Sequence, residues 1–194
     1  MNLTAGGNAQ HDTAQALGFG TSSILFDGTG DYVYAANQAP FDDMDGAGFT
    51  NFTVDAIIRS ASIGSSQCVM SVGDGGSWAN MLFLATVTSA GKLNFQASNG
   101  GSSGVNLTGS TTLSADTNYH VAYVKAGNVF TVYLNGTSDG TTTSSITLAT
   151  SSDQFRVGLE ADGSWGFNGW IKEPRFSLCA RWDADFTPPT VPYP

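Results

Sequence analysis

The sequence predicts an all-β protein built as an antiparallel two-sheet β-sandwich, and three observations carry this prediction. Short apolar runs alternate with turn signals along most of the 194 residues. The 24 glycines are spread without a period, as expected for many turns between short strands. No long segment keeps the hydrophobic period of a helix.

The predicted strands follow one another at the spacing expected of a sandwich. Asp27-Gly28 is a hairpin signal between the first two strands. The clearest period-two alternation lies in Tyr119–Lys125 and Asn128–Leu134, which are linked by Ala126-Gly127. The polar, Gly-rich and Ser-rich stretch 99–110 has no predicted strand. In chain order the predicted strands are Ser23–Phe26, Asp31–Ala35, Phe52–Arg59, Gln67–Val72, Met81–Thr88, Lys92–Ser98, Tyr119–Lys125, Asn128–Leu134, Ser145–Ala149, Gln154–Leu159 and Trp170–Leu178.

The domain organisation predicted from these runs has three parts. Residues 1–22 are small and polar and are expected to form an N-terminal arm or an irregular lead-in. Residues 23–180 form the sandwich. Residues 181–194 end in a segment with four prolines, which cannot be a central strand. This C-terminal tail is expected to run extended over the protein's own surface or over a neighbour.

Charge composition excludes two classes of partner. Charged residues make up 12% of the chain, and seven Lys plus Arg stand against 16 Asp plus Glu, for a net charge of -9. So few cations cannot form the basic patch that nucleic-acid backbones or anionic membranes require. No apolar run approaches the roughly 18 residues of a membrane span, so no membrane insertion is expected.

The two cysteines, Cys68 and Cys179, each lie in an apolar, strand-like run. Buried free thiols are the default expectation for such positions. A disulfide between them requires neighbouring strands, which the sequence does not establish.

Five motifs occur in a fixed order along the chain: Ser23–Val33, Phe52–Ile58, Asn118–Ala122, Tyr133–Gly136 and Phe167–Phe176. Their order resembles that of laminin-G-like domains in the concanavalin A-like lectin/glucanase superfamily. The resemblance implies a concanavalin A-like jelly roll. It also implies that His120, within the Tyr-His-Val motif, is a structural histidine.

The residue patterns of two segments, Gly7–Gln10 and Ala180–Pro189, are similar to those in versions of this domain from bacteriophage virion proteins. That likeness implies a non-enzymatic virion structural or decoration protein, in the capsid or a tail appendage, with the sandwich exposed on the particle. The arm and tail would then dock on other virion proteins or on copies of the chain itself. The alternative is a carbohydrate-binding receptor or adhesion module, on a tail fibre or a secreted bacterial protein, that recognises host-surface glycans.

The expected location follows from the same two interpretations. The N-terminus lacks the basic start and apolar stretch of a cleaved signal peptide. We therefore expect a protein made in a host cytoplasm and displayed on the virion surface, or alternatively an extracellular protein.

Catalysis is not expected. Glycoside hydrolysis needs two carboxyl groups about 5–10 Å apart, and enzymes of the resembled superfamily carry them as alternate residues of one strand. This chain has only two glutamates, Glu160 and Glu173, in different predicted elements. No nucleophile elbow, zinc-binding helix motif or paired C-x-x-C is present.

Two similar loops are the candidate ligand sites. Val72–Trp78 and Val157–Trp165 both follow a strand and both present an Asp, Gly and Trp. On a shared rim, the tryptophans would stack on a sugar ring while carboxylates and amides bind its hydroxyls. The candidate ligand-binding residues are Asp74, Trp78, Asn80, Asp162, Trp165 and Asn168.

Calcium is the one cofactor that such a rim suggests, with Asp74 and Asp162 as candidate ligands. The acidic cluster Asp42, Asp43 and Asp45 is a further cation candidate, although it lacks EF-hand spacing. In the alternative interpretation, Trp78 and Trp165 cover the ends of the core and the aspartates make turns. Trp170 and Trp182 are expected in the core and in docking of the tail, respectively.

Overall fold

The structure is a computed structural model. It describes residues 3–35, 50–73, 79, 81–101, 104–148, 151 and 153–193. Within these residues the chain forms strands and turns and no helix. The predicted all-β class is confirmed.

Two antiparallel sheets of seven strands each pack face to face. The front sheet runs in the order β1 (Leu3–Gly6), β4 (Tyr32–Ala35), β13 (Phe155–Val157), β6 (Gln67–Val72), β7 (Phe83–Val87), β8 (Leu93–Ser98) and β9 (Gly104–Thr108). The back sheet runs in the order β12 (Thr137–Thr143), β11 (Val129–Leu134), β10 (Tyr119–Ala126), β5 (Asn51–Ser60), β14 (Asn168–Ser177), β3 (Ser23–Asp27) and β2 (Gln10–Asp12). This is the predicted jelly-roll sandwich.

The core lies between the two sheets and follows from strict alternation along the strands. In β5, Phe52, Val54 and Ile58 point inward and are fully buried. Phe52 stacks against Phe176 and lies 5.5 Å from Phe83, ring centroid to ring centroid. Burying a Phe or Ile side chain contributes about 1.5–3 kcal/mol, so this alternation drives the pairing of the two sheets.

Four strands lie where the sequence predicted none. β1 and β2 lie within the segment expected to be an arm or irregular lead-in, and each pairs with its sheet as an edge strand. β9 lies in the polar stretch 99–110, where only Val105 and Leu107 point inward. β12 is rich in threonine and turns the buried carboxylate of Asp139 inward instead of an apolar side chain. Edge strands need little apolar alternation, which explains why the pattern missed them.

The predicted strand Ser145–Ala149 is wrong for its described part, Ser145–Leu148, which makes no ladder. Leu148 is buried and Ile146 packs against the core, so the apolar signal marks a segment that covers the core without pairing.

A bulge in β14 aims two cations at the outer face of the back sheet. Lys172 pairs with Ile57 of β5, and Arg175 pairs with Asp55. The four residues 172–175 of β14 therefore lie opposite the three residues 55–57 of β5. Pro174 lies inside the bulge and Glu173 has a positive φ of 49°. Proline cannot donate to a sheet ladder, and an extra residue absorbs this defect.

The C-terminal tail covers part of this outer face. Trp182 and Phe186 stack with ring centroids 3.8 Å apart and pack on Ala122, Val124 and Tyr133. The expected role of Trp182 in tail docking is confirmed. Trp170 is not in the core as expected: it is half-buried on the same outer face, where its Nε1 donates to Asp12 of β2 at 2.7 Å.

The cysteine expectation holds for Cys68 and is wrong for Cys179. Both thiols are free, but Cys68 is buried while Cys179 is exposed just after β14. Burial raises the pKa of the Cys68 thiol well above its ordinary value. Cys179 lies past the last ladder residue of β14, so its apolar neighbours in sequence do not carry it into the core.

Candidate functional site

The loop between β13 and β14 holds two of the candidate residues, Asp162 and Trp165, and is called here the rim loop, residues 158–167. Asp162 shapes its tip, because the Ser164 N–H donates to Asp162 Oδ1 at 2.7 Å and the Ser164 hydroxyl lies 3.2 Å from Oδ2. The Gly163 N–H donates to the Glu160 carbonyl at 3.1 Å. Gly163 has a φ of 86°, which suits a residue without a Cβ. These bonds make the tip a tight turn.

Trp165 lies at the end of this turn in an unusual backbone state. Its φ is 54°, a left-handed conformation that few non-glycine residues adopt. The Cys68 N–H donates to the Trp165 carbonyl at 2.6 Å, which ties the loop to the neighbouring front-sheet strand. Trp165 remains 37% exposed. The fold thus presents a large aromatic ring to solvent on a fixed backbone.

The carboxylate of Asp162 stays ionised to low pH. Partial burial alone would raise its pKa, but hydrogen bonds from the Ser164 N–H and the Ser164 hydroxyl outweigh that effect. The Arg156 guanidinium lowers the pKa further. The net pKa therefore lies below the ordinary value, as expected for a carboxylate that receives several donors.

Three neighbours of the rim loop tip were not among the predicted site residues. Arg156 donates from Nη1 to the carbonyls of Glu160 and Ala161, at 3.1 and 3.2 Å, and its guanidinium lies 4.7 Å from the centre of the Tyr32 ring. Glu160 is buried beside Asp162. A sequence signal existed for Glu160, one of only two glutamates. Arg156 and Tyr32 come together only through the pairing of β13 with β4.

Asn168, the candidate residue that begins β14, is held by structural hydrogen bonds. Its Nδ2 donates to the Ser62 hydroxyl at 3.0 Å, and its backbone N–H donates to Gln67 Oε1 at 3.0 Å. These bonds fix the start of β14 against the loop after β5. Asn168 therefore supports the rim loop from below.

The remaining candidates, Asp74, Trp78 and Asn80, lie outside the described residues, as do Asp42, Asp43 and Asp45. The shared rim formed by the two similar loops, Val72–Trp78 and Val157–Trp165, stays a prediction. Among the described residues no group of three His, Cys, Asp or Glu side chains could hold a metal ion. Glu160 and Asp162 are hard oxygen donors of the type that Ca²⁺ prefers, but the described side chains do not make a calcium site by themselves.

His120 lies on the outer face of the back sheet, in a buried ionic cluster. Asp55 of β5 accepts two hydrogen bonds from Arg175, each 2.9 Å long. The Tyr193 hydroxyl of the tail also donates to Asp55, and His120 Nε2 lies 3.5 Å from Asp55 Oδ2. Burial alone would raise the Asp55 pKa, but the hydrogen bonds from His120, Arg175 and Tyr193 lower it below its ordinary value. The expected structural role of His120 fits this buried position.

In the described part of the chain, fourteen strands in two antiparallel sheets form a concanavalin A-like jelly roll. Residues 27–185 match Laminin_G_3, a family described as the concanavalin A-like lectin/glucanases superfamily, and the chain belongs to it. No curated protein matches this sequence.

Solved structures share the fold at low sequence identity. A candidate carbohydrate-binding protein from Bacteroides ovatus is 20% identical with a TM-score of 0.57, covering 94% of this chain and 45% of that one. The CBM40 of the Ruminococcus gnavus IT-sialidase, bound to α2,3-sialyllactose, is 20% identical with a TM-score of 0.66, covering 83% and 91%. The binding domain of botulinum neurotoxin DC in complex with SialylT is 12% identical with a TM-score of 0.64, covering 94% and 44%. The chain spans less than half the length of the first and third of these chains.

The described residues include no helix long and apolar enough to cross a bilayer.

Proposed function

We propose that this domain is a non-catalytic carbohydrate-binding module whose rim loop contacts the glycan. The observation that carries this proposal is Trp165, an exposed indole on a backbone locked by the Cys68 hydrogen bond. An aromatic face is apolar and large, so it can cover the C–H face of a pyranose ring. Holding that ring on a rigid turn avoids the entropy cost of ordering it when the ligand binds.

The polar groups beside Trp165 supply the directional part of such a site. Asp162 is exposed and ionised, and its oxygens can accept hydrogen bonds from sugar hydroxyls. Small-molecule sites combine an apolar surface with a few fixed polar groups in this way. The family membership and the glycan complexes named for two structural neighbours point to the same function.

The proposal is tested by titrating the protein with soluble oligosaccharides while following tryptophan fluorescence. A binding glycan is expected to change the emission of the native protein. Because Trp165→Gly also removes this fluorophore, binding by that variant is measured by calorimetry, and no heat of binding is expected. The control is Trp182→Phe, which alters the tail tryptophan that packs on the back sheet. Incubation of the same glycans should release no new reducing ends, whereas turnover would identify a hydrolase and contradict the non-catalytic part of the proposal.

The display of this module on a virus particle is a second proposal. It is supported by the resemblance of Gly7–Gln10 and Ala180–Pro189 to segments of bacteriophage virion proteins. In this proposal the edge strands β1 and β2 offer their unpaired backbone N–H and C=O groups to a strand of a neighbouring chain. The tail is a poorer docking element, because Tyr193 and Phe186 already bind the chain's own back sheet. Detection of the protein in purified particles, together with a defined oligomer by light scattering, supports this setting. A strict monomer absent from particles contradicts it.

A further inference from the structure

A concave site lies on the outer face of the back sheet, apart from the rim loop. It is a cleft of about 270 Å³ lined by residues 17–19, Ile57, residues 118–120, Asn135 and residues 188–190. We call it the back cleft. Its floor is the back sheet, and its two walls are the N-terminal segment and the C-terminal tail.

The walls of the back cleft are fixed in place. The Phe186 N–H donates to the Gly136 carbonyl at 2.8 Å, and Tyr193 binds Asp55, so the tail is anchored on both sides of residues 188–190. On the other wall, Lys172 Nζ donates to the Ser22 carbonyl at 2.9 Å and lies 5.1 Å from the centre of the Phe19 ring. The cleft is therefore part of the folded state and needs no rearrangement to form.

The polar end of the cleft is preorganised by Asn135. Its Oδ1 accepts the His120 N–H at 2.9 Å, and its own N–H donates to the His120 carbonyl at 2.8 Å. Asn135 holds a left-handed backbone with φ of 50°. With Oδ1 engaged, Asn135 offers its amide hydrogens to the cleft that it lines, where Asn118 is also exposed. The side-chain amides of Asn118 and Asn135 thus offer hydrogen-bond donors and an acceptor at one end of the back cleft.

Besides the two asparagines, the lining combines apolar side chains with the polar residues Tyr119, His120 and Thr190. Ile57 forms a floor that is 7% exposed, and Phe19, Pro188 and Pro189 form the sides. Among the described lining residues there is no Asp, Glu, Lys or Arg. A charged ligand would lose hydration here without gaining a counter-charge, so the cleft selects a neutral compound.

We propose that the back cleft binds a single neutral pyranose unit, with its C–H face on Ile57 and Phe19 and its hydroxyls on Asn118 and Asn135. A ring with one apolar face and several hydroxyl groups matches an apolar floor with amides at one end. The volume suits one sugar ring. This site is separate from the rim loop and does not depend on glycan binding there. Two separate sites on one sandwich would let a single domain bridge two glycan chains.

The test is an amide-resolved NMR titration of the full chain with four probes: the methyl glycosides of glucose, galactose, mannose and N-acetylglucosamine. At least one glycoside is expected to shift the amide signals of residues 17–19, 118–120 and 135 at saturating concentration. Asn118→Ala is expected to weaken that affinity about tenfold, which corresponds to the loss of one hydrogen bond. Thr190→Trp places a large ring at the exposed tail wall and is expected to abolish binding.

Two control variants show whether the binding is specific to the back cleft. Asn128→Ala alters an exposed asparagine at the far end of the β10–β11 hairpin and should leave the affinity unchanged. Trp165→Gly should also leave the cleft signals unchanged. Glycosides that shift only the rim loop, or none of the amides, overturn the inference while leaving the rim-loop proposal to its own test. Cleft shifts with phenol but with no glycoside overturn the assignment of a sugar ligand.

Discussion

The carboxylate of Asp55 and the guanidinium of Arg175 form a two-point ion pair on the back sheet, beneath the C-terminal tail. The two residues face one another across β5 and β14, and the β14 bulge places Arg175 in register. Asp55 is fully buried, so this pair joins the two central strands and also receives the tail through Tyr193.

Removing the acid from this pair is expected to destabilise the fold strongly. Asp55→Asn leaves Arg175 without its counter-charge, and breaking a buried pair in this way costs about 3–5 kcal/mol. Urea unfolding measures the change. The matched control is Asp116→Asn, which breaks the exposed 3.4 Å pair with Arg59 and should cost no more than about 1 kcal/mol. Equal effects of the two substitutions would contradict the central role of Asp55.

The same pair predicts a pH dependence with a definite sign. The folded-state pKa of Asp55 lies below its ordinary value of 3.8, so its contribution is fully present above pH 3.8 and is lost as the pH falls through the lower folded value. The difference in unfolding free energy between native protein and Asp55→Asn should therefore shrink below that pH. Unfolding curves across an acidic pH series test this. A difference that grows on acidification would show that the pKa is raised.

Tail docking is expected to depend on one hydroxyl group. Tyr193→Phe removes the hydrogen bond to Asp55 but keeps the ring, whose centre lies 3.3 Å from the Arg175 guanidinium carbon. A hydrogen bond to a charged acceptor contributes about 1.5–3 kcal/mol, so the unfolding free energy should fall by about 2 kcal/mol. Limited proteolysis should also cleave the tail faster. Unchanged protease resistance would place the anchor elsewhere, at Trp182 and Phe186.

The two thiols should differ sharply in reactivity. Cys179 is exposed, whereas burial raises the pKa of Cys68 and removes its reactive thiolate. Iodoacetamide is expected to label one thiol in the folded protein and both in urea. Cys179→Ser should abolish labelling of the folded form. Rapid labelling of that variant under native conditions would contradict the burial of Cys68.

Trp165→Gly should separate binding from stability. Glycine adopts the left-handed backbone at this position without strain, which offsets the loss of packing from a partly exposed indole. The unfolding midpoint should change by only a few degrees, corresponding to about 1 kcal/mol, while glycan binding is lost. Trp165→Ala keeps the strain and should be the less stable of the two. A large loss of stability in the glycine variant would assign the indole a packing role instead.

The sequence predicted the central strands well and the edges poorly, for a physical reason. β10 and β11 carry a period-two pattern because one of their faces is buried. β12 and β9 lie at sheet edges and pack few apolar side chains, so they leave no such pattern.

The candidate site shows the same division between local and long-range signals. Trp165 and Asp162 were found because two similar loops, each with an Asp, Gly, Ser and Trp, are visible in the local sequence. The contact of Arg156 with Tyr32, and that of Tyr193 with Asp55, arise from residues far apart in the chain. No local pattern encodes such contacts, so the sequence alone did not predict them.

Glycan binding at the rim loop is the hypothesis on which the proposed function rests, and a broad glycan array is its sharpest test. Native protein and Trp165→Gly would be applied side by side, each with calcium and with a chelator. We expect reproducible binding of native protein to a restricted set of glycans, lost in Trp165→Gly. If glycan binding requires calcium, a metal ion is part of the site at the rim loop. A blank array for native protein under both conditions, or binding that Trp165→Gly retains in full, would contradict glycan recognition by the rim loop.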